Sequence, residues 1–235
     1  MKNYLSFGGG VNSVALYLLM MEQRIEFEAI FVDHGADWPE TYDYVEMFKK
    51  RYPLTTIYPN YQGHNTLLGY CQEKQTTPSM FQRWCTDKFK VSPYVNYVDK
   101  PCFSHIGMDF GERHRAKISC QKGVEKRYLL VEHEIDRAGC FDIIKKHGLP
   151  APPKSNCFFC PFQQKERWRK LRREHPDLFC VAQTLEKNQN ENKKKGTRPY
   201  YIKGSAPLAA LIDDRQMPMG NNIGMEEYPP CECNF

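Results

Sequence analysis

The sequence contains no apolar run long enough to cross a bilayer, which takes roughly 18 or more consecutive apolar residues, so we expect no membrane span. The amino terminus lacks the basic-then-apolar pattern of a secretory signal peptide. We therefore expect a cytoplasmic protein, in a reducing compartment where structural disulfides are rare. With 41% of its 235 residues hydrophobic, the chain can still form a globular core.

Cysteine, in contrast, is abundant, with ten residues. In a reducing compartment a close pair of cysteines favours a metal or a cluster over a disulfide. The two residues between Cys157 and Cys160 let both sulfurs reach one metal from a tight turn, and Pro161 follows as in some iron–sulfur segments. The pair alone leaves a four-ligand site incomplete. The single cysteines fit small buried apolar positions: Cys71, Cys102, Cys120, Cys140 and Cys180.

Short strand-like and helix-like stretches alternate along the first 150 residues. Strands are predicted over 2–7, 27–33, 54–58, 102–108 and 128–131. Helices are predicted over 14–21, 39–51 (with Asp37 as a cap), 86–95, 136–147 and 166–189. The alternation predicts an α/β fold, a parallel sheet with flanking helices. We expect a nucleotide-binding domain over 1–150 and a C-terminal helical, cysteine-containing lobe over 151–235.

A glycine-rich turn separates the first strand from the first helix. From Ser6 to Ser13 it reads S-F-G-G-G-V-N-S. Glycines let the backbone approach an anion closely, and the helix N-terminus offers free N–H groups and the positive end of its dipole. The Ser13 hydroxyl can act as a further donor. The same pattern also fits a tight turn without a ligand, because glycine is common between strand and helix.

This turn resembles the PP-loop, S-G-G-x-D-S after a strand, of the ATP pyrophosphatases and the 3′-phosphoadenylyl-sulfate (PAPS) reductase superfamily. Gly8 replaces the first Ser of that pattern, and Asn12 replaces its Asp. Four further segments are similar to family motifs in the same order. They are V-D-H-G-A-D-W-P-E-T from Val32, R-W-C-T-D-K-F-K-V-S-P from Arg83, I-G-M-D-F-G-E-R-H-R from Ile106 and P-K-S-N-C-F-F-C-P-F from Pro153.

The resemblance implies an adenine nucleotide alpha hydrolase-like fold that binds ATP, or PAPS or its unphosphorylated relative APS, with Mg²⁺. The implied nucleotide-binding residues are Ser6, Gly8, Gly9, Gly10, Asn12, Ser13 and Asp33. Lys88, Arg113 and Arg115 are the implied catalytic cations for phosphate or sulfate. Cys233, in an E-C ending similar to that of the sulfonucleotide reductases, is the implied nucleophile. His34 fits a surface or packing position better than a catalytic one.

The resemblance also implies the cluster-bearing branch of the superfamily. Cys85 stands where the family places a cluster ligand, although Trp84 replaces the first Cys of the family's C-C-x-x-x-K-x-x-P segment. We expect a 4Fe–4S cluster on Cys85, Cys157, Cys160 and a C-terminal cysteine, Cys233 or its neighbour Cys231. A zinc ion on the same ligands is the second interpretation, and a metal-free redox pair is the third.

Positive charge is concentrated after the cysteine pair. Between Pro161 and Lys203 there are twelve Lys and Arg against five Asp and Glu. This region, 165–203, predicts binding of tRNA or DNA through backbone phosphates, with Trp168 available to stack on a base. The spacing of Trp168, Leu171 and Leu178 fits a second interpretation equally well, the buried stripe of an ordinary amphipathic helix.

Three functions are compatible with these features. The first is an enzyme that adenylates a substrate with ATP, so that a sulfur donor can displace AMP in cluster-assisted sulfur transfer or a related modification. The second is a PAPS or APS reductase with Cys233 as nucleophile. The third is a non-enzymatic, nucleic-acid-binding zinc protein in which the glycine turn is structural.

Overall fold

A computed structural model describes residues 1–116, 120–121, 123–194, 196–204 and 206–211. In this part of the chain six strands form one sheet in the order β3-β2-β1-β4-β6-β5. All neighbouring pairs are parallel except β5 with β6. The predicted α/β class is confirmed. The strands are β1 (Lys2–Phe7), β2 (Glu28–Val32), β3 (Thr55–Ile57), β4 (Cys102–Ile106), β5 (Cys120–Gln121) and β6 (Val124–Arg127).

Helices cover the sheet and build the region after it. A π-helical turn, Asp87–Val91, joins α4 to α5, and a 3₁₀ helix, Phe110–Arg115, follows β4. The α-helices are α1 (Val11–Glu22), α2 (Pro39–Lys49), α3 (Leu67–Glu73), α4 (Trp84–Thr86), α5 (Ser92–Tyr97), α6 (Leu129–Glu132), α7 (Arg137–Lys146), α8 (Lys165–Glu174), α9 (Pro176–Glu191) and α10 (Leu208–Leu211).

Helix α1 is the centre of the main core. Every residue from Val11 to Met20 is buried, which explains why this stretch is apolar on all sides rather than along one stripe. Its neighbours in that core include Leu5 and Phe7 of β1, Phe48 of α2 and residues of α7. The packing fixes the start of α1 directly after β1, at the glycine turn.

Three local predictions were wrong. The segment 128–131 is not a strand: α6 occupies Leu129–Glu132, and the fifth parallel strand is the more polar Val124–Arg127, which pairs with β4. Asp37 does not cap α2, since Trp38 is the N-cap residue and no side chain caps it. The helix predicted over 166–189 is two helices, because Pro176 suits the first turn of a new helix.

The residues after 150 share a core with earlier segments. Trp168 and Leu171 of α8 are fully buried and pack in one cluster with Trp38, Leu67 and Phe89. The buried-stripe interpretation of Trp168 is therefore confirmed, and this side chain is not accessible for stacking on a base. The division of the chain at residue 150 stays a prediction.

His105 of β4 gives the fold a pH-dependent element. Burial, together with the nearby Arg127 charge, lowers the pKa of His105 from 6.5 to about 4. Its contribution to stability is therefore complete above pH 6.5 and is lost as pH falls toward 4. We expect this loss to reach about 3 kcal/mol, since each pKa unit is worth about 1.4 kcal/mol.

Urea unfolding at several pH values measures this effect. His105 Nε2 lies 3.0 Å from Asn3 Oδ1. The variant His105→Asn keeps a polar group there but cannot titrate, so its stability is expected to vary less between pH 6.5 and 4. Equal pH dependence in the parent and the variant would show that His105 is not the responsible group.

Candidate functional site

The glycine turn lies where the strand order of the sheet reverses. β1 has β2 on one side and β4 on the other, and ligands of open α/β sheets bind at the carboxyl edge of such a switch point. Helix α1 begins there with Gly10 as its N-cap residue and without any side-chain cap. Its first N–H groups have no partner within the helix, so they and the helix dipole favour an anion at the turn.

The three glycines of the turn differ in what a side chain at each position would contact. Gly9 has a φ of +69°, and a Cβ there would lie 3.1 Å from Val45 Cγ2. A Cβ on Gly10 would lie 2.7 Å from Ser155 Oγ. A Cβ on Gly8 would meet no atom within 4 Å among the described residues. Gly9 and Gly10 therefore allow close packing, and Gly8 faces the open side of the turn.

The two serines predicted at this site serve the local structure. The Ser13 hydroxyl donates to the Gly10 carbonyl oxygen at 2.9 Å, inside the turn, rather than projecting toward a ligand. Ser6 is the last but one residue of β1 and pairs with Ile30 of β2 and Ile106 of β4. What the turn offers to an anion is therefore mainly backbone N–H.

Asn12 is the centre of a buried polar network. Its amide nitrogen donates to Asp109 Oδ2 at 3.0 Å and to Glu112 Oε2 at 3.1 Å. Its amide oxygen accepts from Arg137 at 2.9 Å. Arg115 Nη1 lies 2.5 Å from Glu112 Oε1. The residue that replaces the PP-loop Asp thus lies between two carboxylates, which its amide group can satisfy because it is a neutral donor.

The three predicted catalytic cations lie in different surroundings. Arg115 is mostly buried in the Asn12 network. Arg113 is exposed, and its guanidinium stacks 4.4 Å above the ring of Phe110 in the same 3₁₀ helix. Lys88 Nζ lies 2.8 Å from Asp87 Oδ2. Of these three cations, only Arg115 is connected to the glycine turn, through Glu112, which contacts Asn12.

The second turn of the sheet, after β2, carries the predicted Asp33. Its carboxylate accepts from the backbone N–H of Gly35 at 2.9 Å and from the hydroxyl of Tyr42 at 3.0 Å. Gly35 has a φ of +68°, and a Cβ there would lie 2.5 Å from Thr66 Cγ2. Asp33 therefore stabilises the conformation of this turn.

One pocket is lined by all the predicted metal-binding cysteines that the structure describes. Cys85, Cys157 and Cys160 all line it, as do His34, Arg83 and Lys90. Burial raises the pKa of the Cys157 thiol well above its usual value, and the nearby Asp37 and Cys85 act in the same direction. Of the predicted metal and nucleophile residues, Cys231 and Cys233 lie outside the described residues.

The segment around Cys157 connects this pocket with both turns. Ser155 packs on Gly10 of the first turn. The backbone of Cys157 forms an antiparallel bridge with Asp37 of the second turn, and the Phe158 N–H donates to the Ala36 carbonyl at 2.9 Å. The cysteine pair is thus held directly against the two turns at the carboxyl edge of the sheet.

Two residues that line the pocket, His34 and Lys90, were not predicted to lie beside the cysteines. His34 is fully buried, and its Nε2 lies 3.4 Å from Asp37 Oδ1. Lys90 Nζ lies 3.9 Å from the same oxygen. The available signal for His34 was its position just after a parallel strand. Lys90 lies two residues from Lys88, and only the π-helical turn decides which of the two reaches the pocket.

The pocket offers thiols, which are the ligands of a sulfur-bound metal centre. Three of them line it among the described residues. Among the described residues, no three His, Cys, Asp or Glu side chains lie close enough together to hold a single metal ion. A 4Fe–4S cluster binds each thiolate through a different iron atom, whereas a zinc ion binds all of its ligands directly. Binding of a cluster or of zinc at this pocket stays a prediction.

Three of the six basic side chains of α8 are partly buried and contact other protein groups. Arg167 stacks 4.4 Å above the Trp38 ring, and Lys170 lies 5.9 Å from the same ring. Arg169 pairs with Glu166. Exposed cations of this helix include Arg172. Nucleic-acid binding through 165–203 stays a prediction and has fewer available charges than the sequence indicated.

The fold and the site define an α/β protein with a glycine turn at the switch point of a parallel sheet and cysteines packed against it. The model of the phosphoadenosine phosphosulfate reductase domain family matches residues 2–122. The chain belongs to this family, and the predicted superfamily is confirmed. In the part of the chain that the structure describes, no helix combines the length and apolarity that a membrane span requires.

Similar proteins extend the comparison. The uncharacterized protein MJ0973 of Methanocaldococcus jannaschii is 24% identical over 200 residues, covering 76% of this chain and 46% of that protein. MJ0066 of the same organism is 22% identical, covering 74% and 39%. The chain thus matches less than half of the length of these curated relatives. The crystal structure of PAPS reductase from Candida auris, a phosphate complex, shares the fold, with a TM-score of 0.51, 18% identity, and coverage of 65% of this chain and 75% of that one.

Proposed function

We propose that this protein binds ATP at the turn between β1 and α1 and transfers the adenylyl group to an oxygen of a substrate held beside the cysteine pocket. The observation that carries the proposal is the contact between the two sites. Ser155 lies against Gly10, and Cys157 follows two residues later. A nucleotide whose phosphates meet the N-terminus of α1 would therefore have its reacting end close to the cysteines.

The proposed reaction has two steps. A substrate oxygen attacks the α-phosphorus of ATP, the bond to the β-phosphate oxygen breaks, and pyrophosphate leaves. A sulfide donor then attacks the activated carbon, the carbon–sulfur bond forms, and AMP leaves with the former substrate oxygen. The helix dipole and N–H groups at the turn would stabilise the developing charge on the phosphates.

The network around Asn12 contains the carboxylates that would hold Mg²⁺ near the phosphates of ATP. Mg²⁺, which accompanies ATP in the related enzymes, supplies charge neutralisation when bound. Asn12 has no carboxylate, but those of Asp109 and Glu112 lie within 3.1 Å of its amide nitrogen. Carboxylate oxygens are the ligands that Mg²⁺ prefers, so the side chains present suit the ion.

The second candidate is reduction of a sulfonucleotide, PAPS or APS. The family match and the fold of the Candida auris enzyme favour it. This reaction would use Cys233 as nucleophile on the sulfate sulfur, with release of sulfite. The two candidates share the nucleotide site and differ in the group that occupies the end near the cysteines.

Competition calorimetry separates the candidates without knowledge of the acceptor. The probes are α,β-methylene ATP with Mg²⁺, PAPS, APS and inorganic pyrophosphate. Adenylation predicts that the ATP analogue binds and that pyrophosphate competes with it. Binding of PAPS or APS at least about tenfold tighter, a difference of about 1.4 kcal/mol, with no competition by pyrophosphate, would replace the first candidate by the second. Absence of any nucleotide binding would contradict both.

A further inference from the structure

His34 is a buried imidazole without a hydrogen bond in the described part of the chain. It is fully buried, neither of its ring nitrogens has a hydrogen-bond partner there, and it lines the pocket of Cys85, Cys157 and Cys160. Buried polar groups in native proteins are nearly always satisfied, so one that is not indicates a missing ligand or ion. The nearest acidic oxygen is Asp37 Oδ1, 3.4 Å from Nε2.

One cysteine of the family motif is absent from this pocket. The family's C-C segment reads Trp84-Cys85 here. The Trp84 ring packs against Tyr70, with ring centroids 5.4 Å apart, and against Phe89 at 6.3 Å. Trp84 therefore contributes to an aromatic cluster and offers no metal ligand. The pocket keeps three thiols and gains one imidazole.

We infer that His34 is the fourth protein ligand of an iron–sulfur cluster whose other ligands are Cys85, Cys157 and Cys160. The inference rests on the cofactor expected for the proposed function, but it replaces the C-terminal cysteine by a residue of the sheet edge. Asp37 faces Nε2, which leaves Nδ1 for iron. A carboxylate that accepts from the second ring nitrogen orients a metal-binding histidine and raises its basicity, and Asp37 Oδ1, 3.4 Å from Nε2, is the group that would take this role.

Charge in the pocket agrees with this ligand set. A cluster on thiolates is anionic, and the cations Arg83 and Lys90 line the same pocket. On assembly each cysteine releases one proton to solvent and binds as a thiolate, whereas an imidazole nitrogen binds a metal through its lone pair and adds no negative charge. Replacing one thiolate by imidazole makes the centre one unit less negative, which raises its reduction potential.

The test uses the protein purified anaerobically and reconstituted with equal amounts of ferrous and ferric iron and with sulfide. Iron and sulfide per chain, the visible spectrum, and pulsed electron paramagnetic resonance of the reduced sample are measured. The variants are His34→Asn, His34→Cys and Cys231→Ser with Cys233→Ser. The matched control is His105→Asn, because His105 is also a buried histidine but does not line the pocket.

We expect nitrogen-14 coupling from a directly bound histidine in the parent and in the His105→Asn control. His34→Asn is expected to lose most of the iron, and His34→Cys to keep the iron, lose the nitrogen coupling and shift to a lower reduction potential. The double serine variant should retain both iron and coupling.

Full iron in His34→Asn with an unchanged spectrum would overturn the inference, as would loss of the cluster from the double serine variant. Stoichiometric zinc in the anaerobic parent, or no metal after reconstitution, would overturn it as well. Titration of the same samples with α,β-methylene ATP reports on the proposed function separately, so failure of the ligand assignment and failure of the nucleotide assignment give different results.

Discussion

Replacing Trp38 by alanine is expected to lower the free energy of unfolding by about 3–5 kcal/mol, the usual cost of truncating a buried tryptophan. Trp38 is almost completely buried at the start of α2. Its indole N–H donates to Gln163 Oε1 at 3.0 Å, and the guanidinium of Arg167 lies 4.4 Å above its ring. The side chain therefore joins the sheet domain to the segment that contains the cysteine pair.

Urea unfolding followed by circular dichroism measures the effect, with Trp38→Phe as the matched variant. Phenylalanine keeps an aromatic face for Arg167 but loses the hydrogen bond and part of the buried ring volume. Gln163 Oε1 still accepts from Asn156, so we expect this variant to lose about 1–2 kcal/mol. Equal losses in both variants, or a loss below about 1 kcal/mol for Trp38→Ala, would show that this contact does not hold the C-terminal part in place.

Restoring the family's aspartate at position 12 is expected to damage the protein. In Asn12→Asp a third carboxylate would face Asp109 and Glu112, and both would lose their amide donor. Arg137 and Arg115 are the cations available in the network, so one negative charge would be left in excess. We expect a loss of about 3 kcal/mol at neutral pH, as for a buried charge without its partner.

The pH dependence and a double variant check this explanation. The introduced carboxyl would have a folded-state pKa above its unfolded value, because like charges oppose its ionisation. The penalty should therefore shrink as pH falls through that raised pKa. Combining Asn12→Asp with Asp109→Asn returns one amide to the network and should recover most of the stability. A gain in stability from Asn12→Asp alone would contradict the network.

The strong periodic segments were predictable because local pattern and tertiary packing agree in them. β1, α1 and the apolar β2 follow from short apolar stretches on either side of the glycine turn. The polar strand Val124–Arg127 was missed because its pairing with β4 is a tertiary contact, and the apolar Leu129–Leu130 beside it attracted the strand prediction instead. The helix predicted over 166–189 is divided at Pro176, and the periodicity of apolar residues does not indicate this break.

The residues of the site that belong to a sequence motif were predictable. Those brought to the site by tertiary packing were not. The glycine turn and the convergence of Cys85 with the cysteine pair came from motif positions, and the structure places these three cysteines in one pocket. The role of Asn12 was invisible in the sequence, since Asp109 lies 97 residues away. His34 was assigned to a surface or packing position, because its place just after a parallel strand does not indicate which pocket its side chain faces.

The central claim, that an adenine nucleotide binds at the glycine turn, is tested most directly by Gly8→Val. The variant should fold normally, because a Cβ at Gly8 meets no described atom within 4 Å, whereas Gly9→Ala, at a φ of +69°, should cost about 1–2 kcal/mol of stability. A side chain at Gly8 would fill the open side of the anion site. We expect the calorimetric affinity for α,β-methylene ATP with Mg²⁺ to fall by about 100-fold or more, or about 2.7 kcal/mol, at an unchanged melting temperature. Unaltered affinity in a normally folded Gly8→Val variant would contradict the account.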